Sequence, residues 1–389
     1  MDKILRDRRL YQKAGLEAAI ICTVVWTARA ATILPLGGLQ DVPNPGMVAR
    51  GATAPGSVVG TFRQGAFWKA FHWDARRGMQ PLPGIGSEYS HAEACNSAGR
   101  VVGHGFIPNT RRPALIWEPA GERWTVVELP QPDGSPIVQS AYPRAINAGG
   151  IIVGSATDFP GHQGVERPIV WLGDADGSWR FAGLETLGGK GGQALAVNDA
   201  GLVAGWSQTR NGTARPCLWQ PKDGRYELPL ELPDPEGASG PGEALAINAL
   251  GQVVGQVGER ACLWSPQGGS WKGALLPSLP GTSRSRASAI NAQGLIAGQM
   301  TSAEGVSRAF VGTLESVTDL NRVVDPDASW ALHSAEALTE DGALVGQGDH
   351  QGVSTAYRLQ IDAIESASLL RGERIGRPEP WTLDYSAKE

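Results

Sequence analysis

Helical periodicity is nearly absent from this chain beyond residue 30, which excludes a helix bundle or an alternating α/β plan. Cysteine is scarce, four in 389 residues, so no disulfide framework carries the fold. No apolar run approaches the roughly 20 residues that a membrane-spanning helix needs. A positive excess is missing as well: the formal net charge is −5, whereas nucleic-acid binders carry a basic footprint. Neither H-E-x-x-H nor G-x-S-x-G occurs, leaving zinc-protease and esterase readings without support. Gly188–Gly192 (GGKGG) lacks the lysine-Ser/Thr ending of a phosphate loop and reads as a connecting loop. Asp174 and Asp176 miss the calcium-loop pattern, because Trp179 stands where glycine is needed, and a hairpin turn explains both. No cofactor or metal is expected.

What the chain has in quantity is glycine, 52 residues, and proline, 27, as a protein full of tight turns requires. The glycines are not scattered. The stretch Ala244–Gly255 recurs along the chain in seven copies, whose terminal glycines are Gly60, Gly103, Gly154, Gly205, Gly255, Gly298 and Gly346. Their spacings, 43, 51, 51, 50, 43 and 48 residues, match the period of four-stranded propeller blades.

Each copy has the same physical reading. Asn96, Asn147, Asn198, Asn248 and Asn291 stand three residues before a glycine, with Thr53 and Thr339 in that column of the first and last copies. Asn at the first and Gly at the fourth position mark a type I turn, in which the side chain accepts from the backbone N–H two residues on. Before the turn comes a strand with alanine at alternate positions, such as Ala244 and Ala246, suited to crowding near a central axis. After it comes a β-branched strand such as Val253–Val254. A third strand ends at Trp73, Trp117, Trp171, Trp219 or Trp264, with Gly312 and Leu359 in the last two copies. Leucine-rich segments, Met79–Leu82, Val126–Leu129, Phe181–Leu187 and Leu275–Leu279, supply a fourth. The fold class expected is all-β, a seven-bladed β-propeller of four-stranded blades over residues 31–361.

A propeller leaves a seam with open strand edges unless something crosses it. Ala31–Leu39 resembles the fourth-strand segments yet precedes the first copy, and the last copy lacks a clear fourth strand. The amino-terminal strand is therefore expected to close the ring beside Ala356–Ile361. Val317–Asn321 and Trp330–Glu336 are assigned to the approach to the last hairpin. Residues 362–389 read as a surface extension, with Trp381 docking on the propeller.

Residues 1–30 read as an export signal. Lys3, Arg6, Arg8, Arg9 and Lys13 form a basic start, Ala18–Trp26 an apolar run, and Ala28-Arg29-Ala30 a cleavage site. Arg8-Arg9-Leu10-Tyr11-Gln12-Lys13 also resembles a twin-arginine signal. The competing reading is an ordinary amphipathic helix, since Glu17 interrupts the apolar region. Cleavage after Ala30 would remove six basic and three acidic residues and take the charge from −5 to −8. Cys95, Cys217 and Cys262 would remain, each as a small apolar filler without a disulfide. The expected location is extracellular or periplasmic, and the expected state a monomer without a membrane span.

These copies resemble the bacterial HAF-type "probable extracellular repeat" proteins, whose repeat runs A-x-A-I-N-x-x-G-x-V-x-G, then R-A-F-L-W, then a leucine-glycine segment. Ala244–Gly255 and Arg260–Trp264 are similar to that pattern, and the likeness covers about Ala31–Ile361. It implies an exported repeat protein and brings no catalytic residues.

Two groups of residues are candidates for ligand binding. The regular Trp column favours packing between blades over sugar stacking, while Trp124, Trp179 and Trp271, placed between third and fourth strands, are glycan-contact candidates. A basic residue opens the third strand in six copies: Lys69, Arg112, Arg167, Arg215, Arg260 and Arg308, with Thr355 in the seventh. Alternation of strand direction places all of them on one face, as an anion-binding rim or as braces for their own blades. Of the six histidines, His104, His162 and His350 fall in or beside the loops of that face, where a His with an Arg and a Tyr would serve a lyase. The expected function is a secreted, non-enzymatic propeller binding a glycan or an extracellular protein through its loop face. The alternative is an extracellular carbohydrate-active enzyme, a polysaccharide lyase or a glycoside hydrolase, with its site over the central channel.

Overall fold

The computed structural model describes residues 31–36, 46–54, 56–108, 111–130, 140–157, 165–174, 176–362, 368, 369 and 371. The chain divides into the units Met1–Ala30 and Ala31–Glu389. The export-signal residues, His162 and Trp381 lie outside the described residues, so those expectations are not addressed by the structure.

The second unit is a seven-bladed β-propeller, each blade an antiparallel four-stranded sheet. Blade 5 shows the plan. Its innermost strand Gly242–Ile247 pairs with Val253–Val257, that with Arg260–Gln267, and that with the outer strand Ser270–Leu275. Blades 1, 2, 3, 4, 6 and 7 begin on the innermost strands Val48–Thr53, Ser90–Cys95, Ser140–Ile146, Gly188–Val197, Thr282–Ile290 and Trp330–Leu338.

Closure is as the sequence implies. Thr32–Pro35 joins blade 7 as its outer strand, with Thr32 opposite Gln360 and Pro35 opposite Tyr357. Leu36 then donates its backbone N–H to the Ala356 carbonyl at 3.1 Å, as Leu82, Leu129, Leu184, Leu232 and Leu276 do to Ala70, Ala114, Pro168, Pro216 and Ala261 in five other blades. All six leucines are buried. The leucines therefore follow the outer strands rather than form them. Trp124, Trp179 and Trp271 belong to the outer strands themselves, Arg123–Glu128, Trp179–Gly183 and Ser270–Leu275.

Three other expectations are corrected. Val317–Asp319 is the outer strand of blade 6 and Trp330–Leu338 the innermost of blade 7, not an approach to the last hairpin. Gly188–Gly192 opens an inner strand instead of a loop, because its glycines pack closely on Gln208 and Trp206. The turn asparagines accept from the N–H four residues on, Ile151 to Asn147 at 2.8 Å and Leu202 to Asn198 at 3.0 Å; Asn248 also accepts from Leu250, two residues on.

Each buried hydrophobic cluster spans one pair of neighbouring blades, and the seven clusters account for seven interfaces. Two polar devices reinforce them. The Trp column crosses blades: Trp117, Trp171, Trp219 and Trp264, all fully buried, donate Nε1–H to the carbonyls of Pro83, Pro130, Glu185 and Pro233 in the preceding blade at 2.7–2.8 Å. The Asn column crosses them the other way. Asn96, Asn147, Asn198 and Asn248 donate Nδ2–H to the carbonyls of Asn147, Asn198, Asn248 and Asn291 in the next blade. Thr339 satisfies the Ala343 N–H at 2.9 Å, but its hydroxyl is too short to continue the belt.

The innermost strand of every blade carries a register shift at the residue between its paired small residues, for example between Ala244 and Ala246. The bulge brings a carbonyl over the glycine that ends each copy; a Cβ at Gly255 would overlap the Glu243 oxygen. That close approach is why these glycines recur. It also re-aims the bulged side chain.

Buried histidine gives the fold a pH signature. His72, 4% exposed, meets Ser57 Oγ at 3.1 Å, Asp74 at 3.8 Å and the Trp124 ring at 4.9 Å. Burial lowers its pKa to about 4, against the opposing pull of Asp74. A folded pKa below the unfolded 6.5 means stability present above pH 6.5 and lost as pH falls toward about 4, on the order of 3 kcal/mol. Melting temperature measured against pH should drop through that window, and the drop should flatten in His72→Asn. Parallel profiles for the two proteins would contradict the assignment.

Candidate functional site at the channel mouth

The columns that repeat from blade to blade build the ring; the columns that differ line its channel. The bulged position of the inner strand holds Arg50, Glu93, Arg144, Leu195, Leu245, Ser288 and Glu336 in blades 1 to 7. Arg50, Glu93, Arg144, Glu243, Arg286 and Glu336 line a polar cavity of about 280 Å³ on the axis.

Blades 1 to 3 concentrate ionisable and aromatic groups there. The rings of His91 and His104 stack at 4.9 Å with an interplanar angle of 10°. Tyr142 meets His104 edge-on at 5.1 Å, and the Trp68 ring lies 6.5 Å from that of His91. Inner and second strands position the pair, because His91 and His104 face each other in register. Two guanidiniums flank Tyr142: Arg112 at 6.0 Å and Arg144 at 5.7 Å from the ring. Arg112 Nη1 also donates to the Tyr142 hydroxyl at 2.7 Å and lies 5.6 Å from the Phe106 ring. Glu93 sits 3.7 Å from Arg144 and 3.9 Å from His104.

Electrostatics in this cluster follow from burial. Desolvation holds His104 well below the ordinary histidine range, helped by His91, Arg144 and Arg112. His91 is lowered by burial and by Arg50 and Arg112. Burial raises the Glu93 carboxyl, and Arg144 and Arg50 oppose the rise. Both histidines are therefore neutral at pH 7, and the cluster carries a positive excess. Two of its buried polar atoms, His104 Nδ1 and Arg144 Nε, have no hydrogen-bond partner among the described residues. Unpaired buried donors and acceptors are costly, and a ligand at this point would satisfy them.

Most of the repeated cations are not part of the site. Arg215 binds Glu231 at 2.7 Å, Asp234 at 2.6 Å and the Gly240 carbonyl, all in its own blade or the turn after it. Lys69 pairs with Glu88, and Arg308 lies 3.7 Å from Asp319. These are braces for the ring, not a free rim. Arg167 and Arg260 stand at the start of their own third strands, Glu166–Gly173 and Arg260–Gln267. Only Arg112 and His104 of the sequence candidates enter the cluster. His104 stands near the end of the second strand, Val101–Gly105, beside the loop that follows it. His350 ends a strand of blade 7 and stacks on Trp330 at 4.5 Å. The Trp column packs and bonds between blades, and among Trp124, Trp179 and Trp271 each is half-buried. The residues missed were Arg50, His91, Glu93, Tyr142 and Arg144. Their signal was variation between copies at otherwise regular positions.

Among the described residues no helix is long and apolar enough to cross a membrane. Nor, among them, do three or more His, Cys, Asp or Glu side chains gather as a metal site. Cys95, Cys217 and Cys262 are free thiols, and burial pushes that of Cys95 up to about 12.

No family model and no curated protein matches the chain. Solved structures do. An oligogalacturonate lyase in complex with manganese is similar at a TM-score of 0.50 and 12% identity, over 86% of this chain and 94% of that one. A Trypanosoma rangeli sialidase gives 0.43 and 11%, over 76% of this chain and 58% of that one, so the chain spans less than two thirds of its length. A Xanthomonas campestris gluconolactonase gives 0.37 and 14%, over 75% and 90%. At these identities the likeness is one of fold alone.

Proposed function

We propose that this chain is an exported binding propeller of the HAF-repeat kind that holds an acidic glycan at the mouth of its channel, over blades 1 to 3. The observation that carries the reading is the Tyr142 ring within 6.0 Å of the guanidiniums of both Arg112 and Arg144, edge-on to His104, which stacks on His91. Rings offer a platform to the C–H face of a sugar, and guanidinium matches a carboxylate in geometry and charge. The protein works as a monomer outside the cytoplasm.

Isothermal titration with oligogalacturonate, a uronic acid chain, tests this. Binding should weaken at least tenfold in Arg112→Gln and in the methyl-esterified glycan, and should fall with added salt. Equal binding of the neutral ester, or unchanged affinity in Arg112→Gln, would contradict it.

A second reading, a polysaccharide lyase, is favoured by the neutral state of His91 and His104 beside these arginines. A neutral imidazole can take the proton α to a uronate carboxylate; the C–H electrons form the C=C bond as the β C–O bond breaks and its oxygen leaves with a proton. Hydrolysis by paired carboxylates needs two such groups; Glu93 is the one beside these rings, and Glu243 and Glu336 line the same axial cavity. Ultraviolet absorbance of an unsaturated product, present in the protein and lost in His91→Gln, would establish the lyase; its absence would leave binding alone.

A further inference from the structure

A second polar recess opens between blades 5 and 6, with a volume of about 430 Å³ and a lining that includes Gln256, Glu259, Arg284, Arg286, Gln299 and Thr301. Arg284 and Arg286 stand two residues apart on the inner strand of blade 6, opposite Thr301 and Gln299. Side chains two apart on a strand share a face, and like charges so placed repel. Arg215 and Arg308, by contrast, are met by carboxylates. Here no ion pair is formed by either arginine among the described residues; Arg286 Nη1 donates to Ser288 Oγ at 3.2 Å. The strand bearing them is pinned to blade 5, because the buried Ser285 hydroxyl accepts the Ala261 N–H at 2.8 Å. Gln256 and Gln299 occupy the same place in successive blades, each directly after the glycine of its copy.

We propose that this groove is a separate binding site for an oxyanion carried on a sugar ring, a carboxylate or a sulfate. The two arginines hold the anion, and the glutamine amides and Glu259 take the ring hydroxyls, a division of labour that a polar recess of this size supports. The lining holds no large apolar side chain, which argues against a lipid or an aromatic ligand. Arg286 also lines the axial cavity, so the groove adjoins the channel, and a longer chain could run from one to the other. The groove does not depend on the site over blades 1 to 3.

Titration of the full chain with digalacturonate, a sulfated disaccharide, a neutral disaccharide and a short polyglutamate peptide tests it. The wild type should bind one charged disaccharide, or both, at two equivalents. Arg284→Gln, at a residue that lines the groove and not the axial cavity, should weaken one equivalent at least tenfold while keeping its melting temperature, and Arg112→Gln should keep the equivalent that Arg284→Gln weakens. A single equivalent, weakened by Arg284→Gln and untouched by Arg112→Gln, would support the groove and remove the blade 1 to 3 site. Unchanged stoichiometry and affinity in Arg284→Gln, absence of any charged-sugar binding by the wild type, or binding of the neutral sugar or the peptide equal to that of the charged sugar, would each overturn the groove as a sugar-oxyanion site. The preferred disaccharide identifies the anion.

Discussion

Deletion of Ala31–Leu36 should lower the melting temperature by about 10 °C or more. The segment supplies four ladder positions to blade 7 and the buried Leu36, which packs with Met47, Phe62 and Phe71 of blade 1. Truncating a buried leucine costs about 2–5 kcal/mol, and 1 kcal/mol shifts melting by roughly 2–4 °C in domains of about 150–250 residues and by less in a larger ring. Removal of the whole strand exceeds that truncation, since it also exposes the outer edge of Val353–Gln360 and invites association between chains. Differential scanning calorimetry with light scattering checks both effects, and Leu36→Ala should show a smaller shift of the same sign. Full retention of the melting temperature in the deletion would mean that the ring closes without this strand.

The second large effect lies in the Trp column. Trp264 is fully buried and its indole bonds the Pro233 carbonyl of the preceding blade at 2.8 Å. Trp264→Ala should cost about 3–5 kcal/mol through the lost side-chain volume. Trp264→Phe should cost about 1–3 kcal/mol, from the lost indole volume and the lost bond to Pro233 together. The half-buried Trp271 is a useful contrast, with a longer bond of 3.3 Å to the Gly251 carbonyl. Its replacement by Phe should cost well under 1 kcal/mol. Denaturant unfolding followed by circular dichroism measures all three. A Trp264→Ala protein as stable as the wild type would show that the column is not a bond between blades.

The ring was legible in the sequence because its determinants recur. Alanine pairs, turn glycines, Trp117 to Trp264 and the displaced leucine segment at Leu36 each report a local constraint that every blade repeats. What lay beyond a single copy was harder to see. The asparagine belt joins residues about 50 apart, and only three-dimensional stacking shows that the Asn147 amide reaches Asn198. Gly188–Gly192 looked like a loop because glycine is rare in strands, yet close packing on Gln208 and Trp206 is what its missing side chains permit.

The candidate site was less legible than the ring for a related reason. Repetition drew attention to Arg215, Lys69 and Arg308, and repetition is what a brace shows. Arg112 belongs to the same column but reaches across to Tyr142 in the next blade, a contact its strand position does not reveal. Glu93 and Arg144 occupy bulged positions, and simple alternation along a strand gives no sign that a bulge has turned them toward the axis. Comparing the seven copies column by column would have singled them out, since charge alternates from Arg50 to Glu93 to Arg144 where the flanking small residues barely change.

The central claim is that varying columns bind and repeating columns build. Its most direct test sets Arg144→Gln beside Arg215→Gln, measuring oligogalacturonate affinity and melting temperature in each. The account predicts that Arg144→Gln loses at least tenfold in affinity and keeps its melting temperature within a few degrees, whereas Arg215→Gln loses roughly 2 kcal/mol of stability and keeps its affinity. The reverse pattern, affinity lost with Arg215 and retained without Arg144, would contradict it.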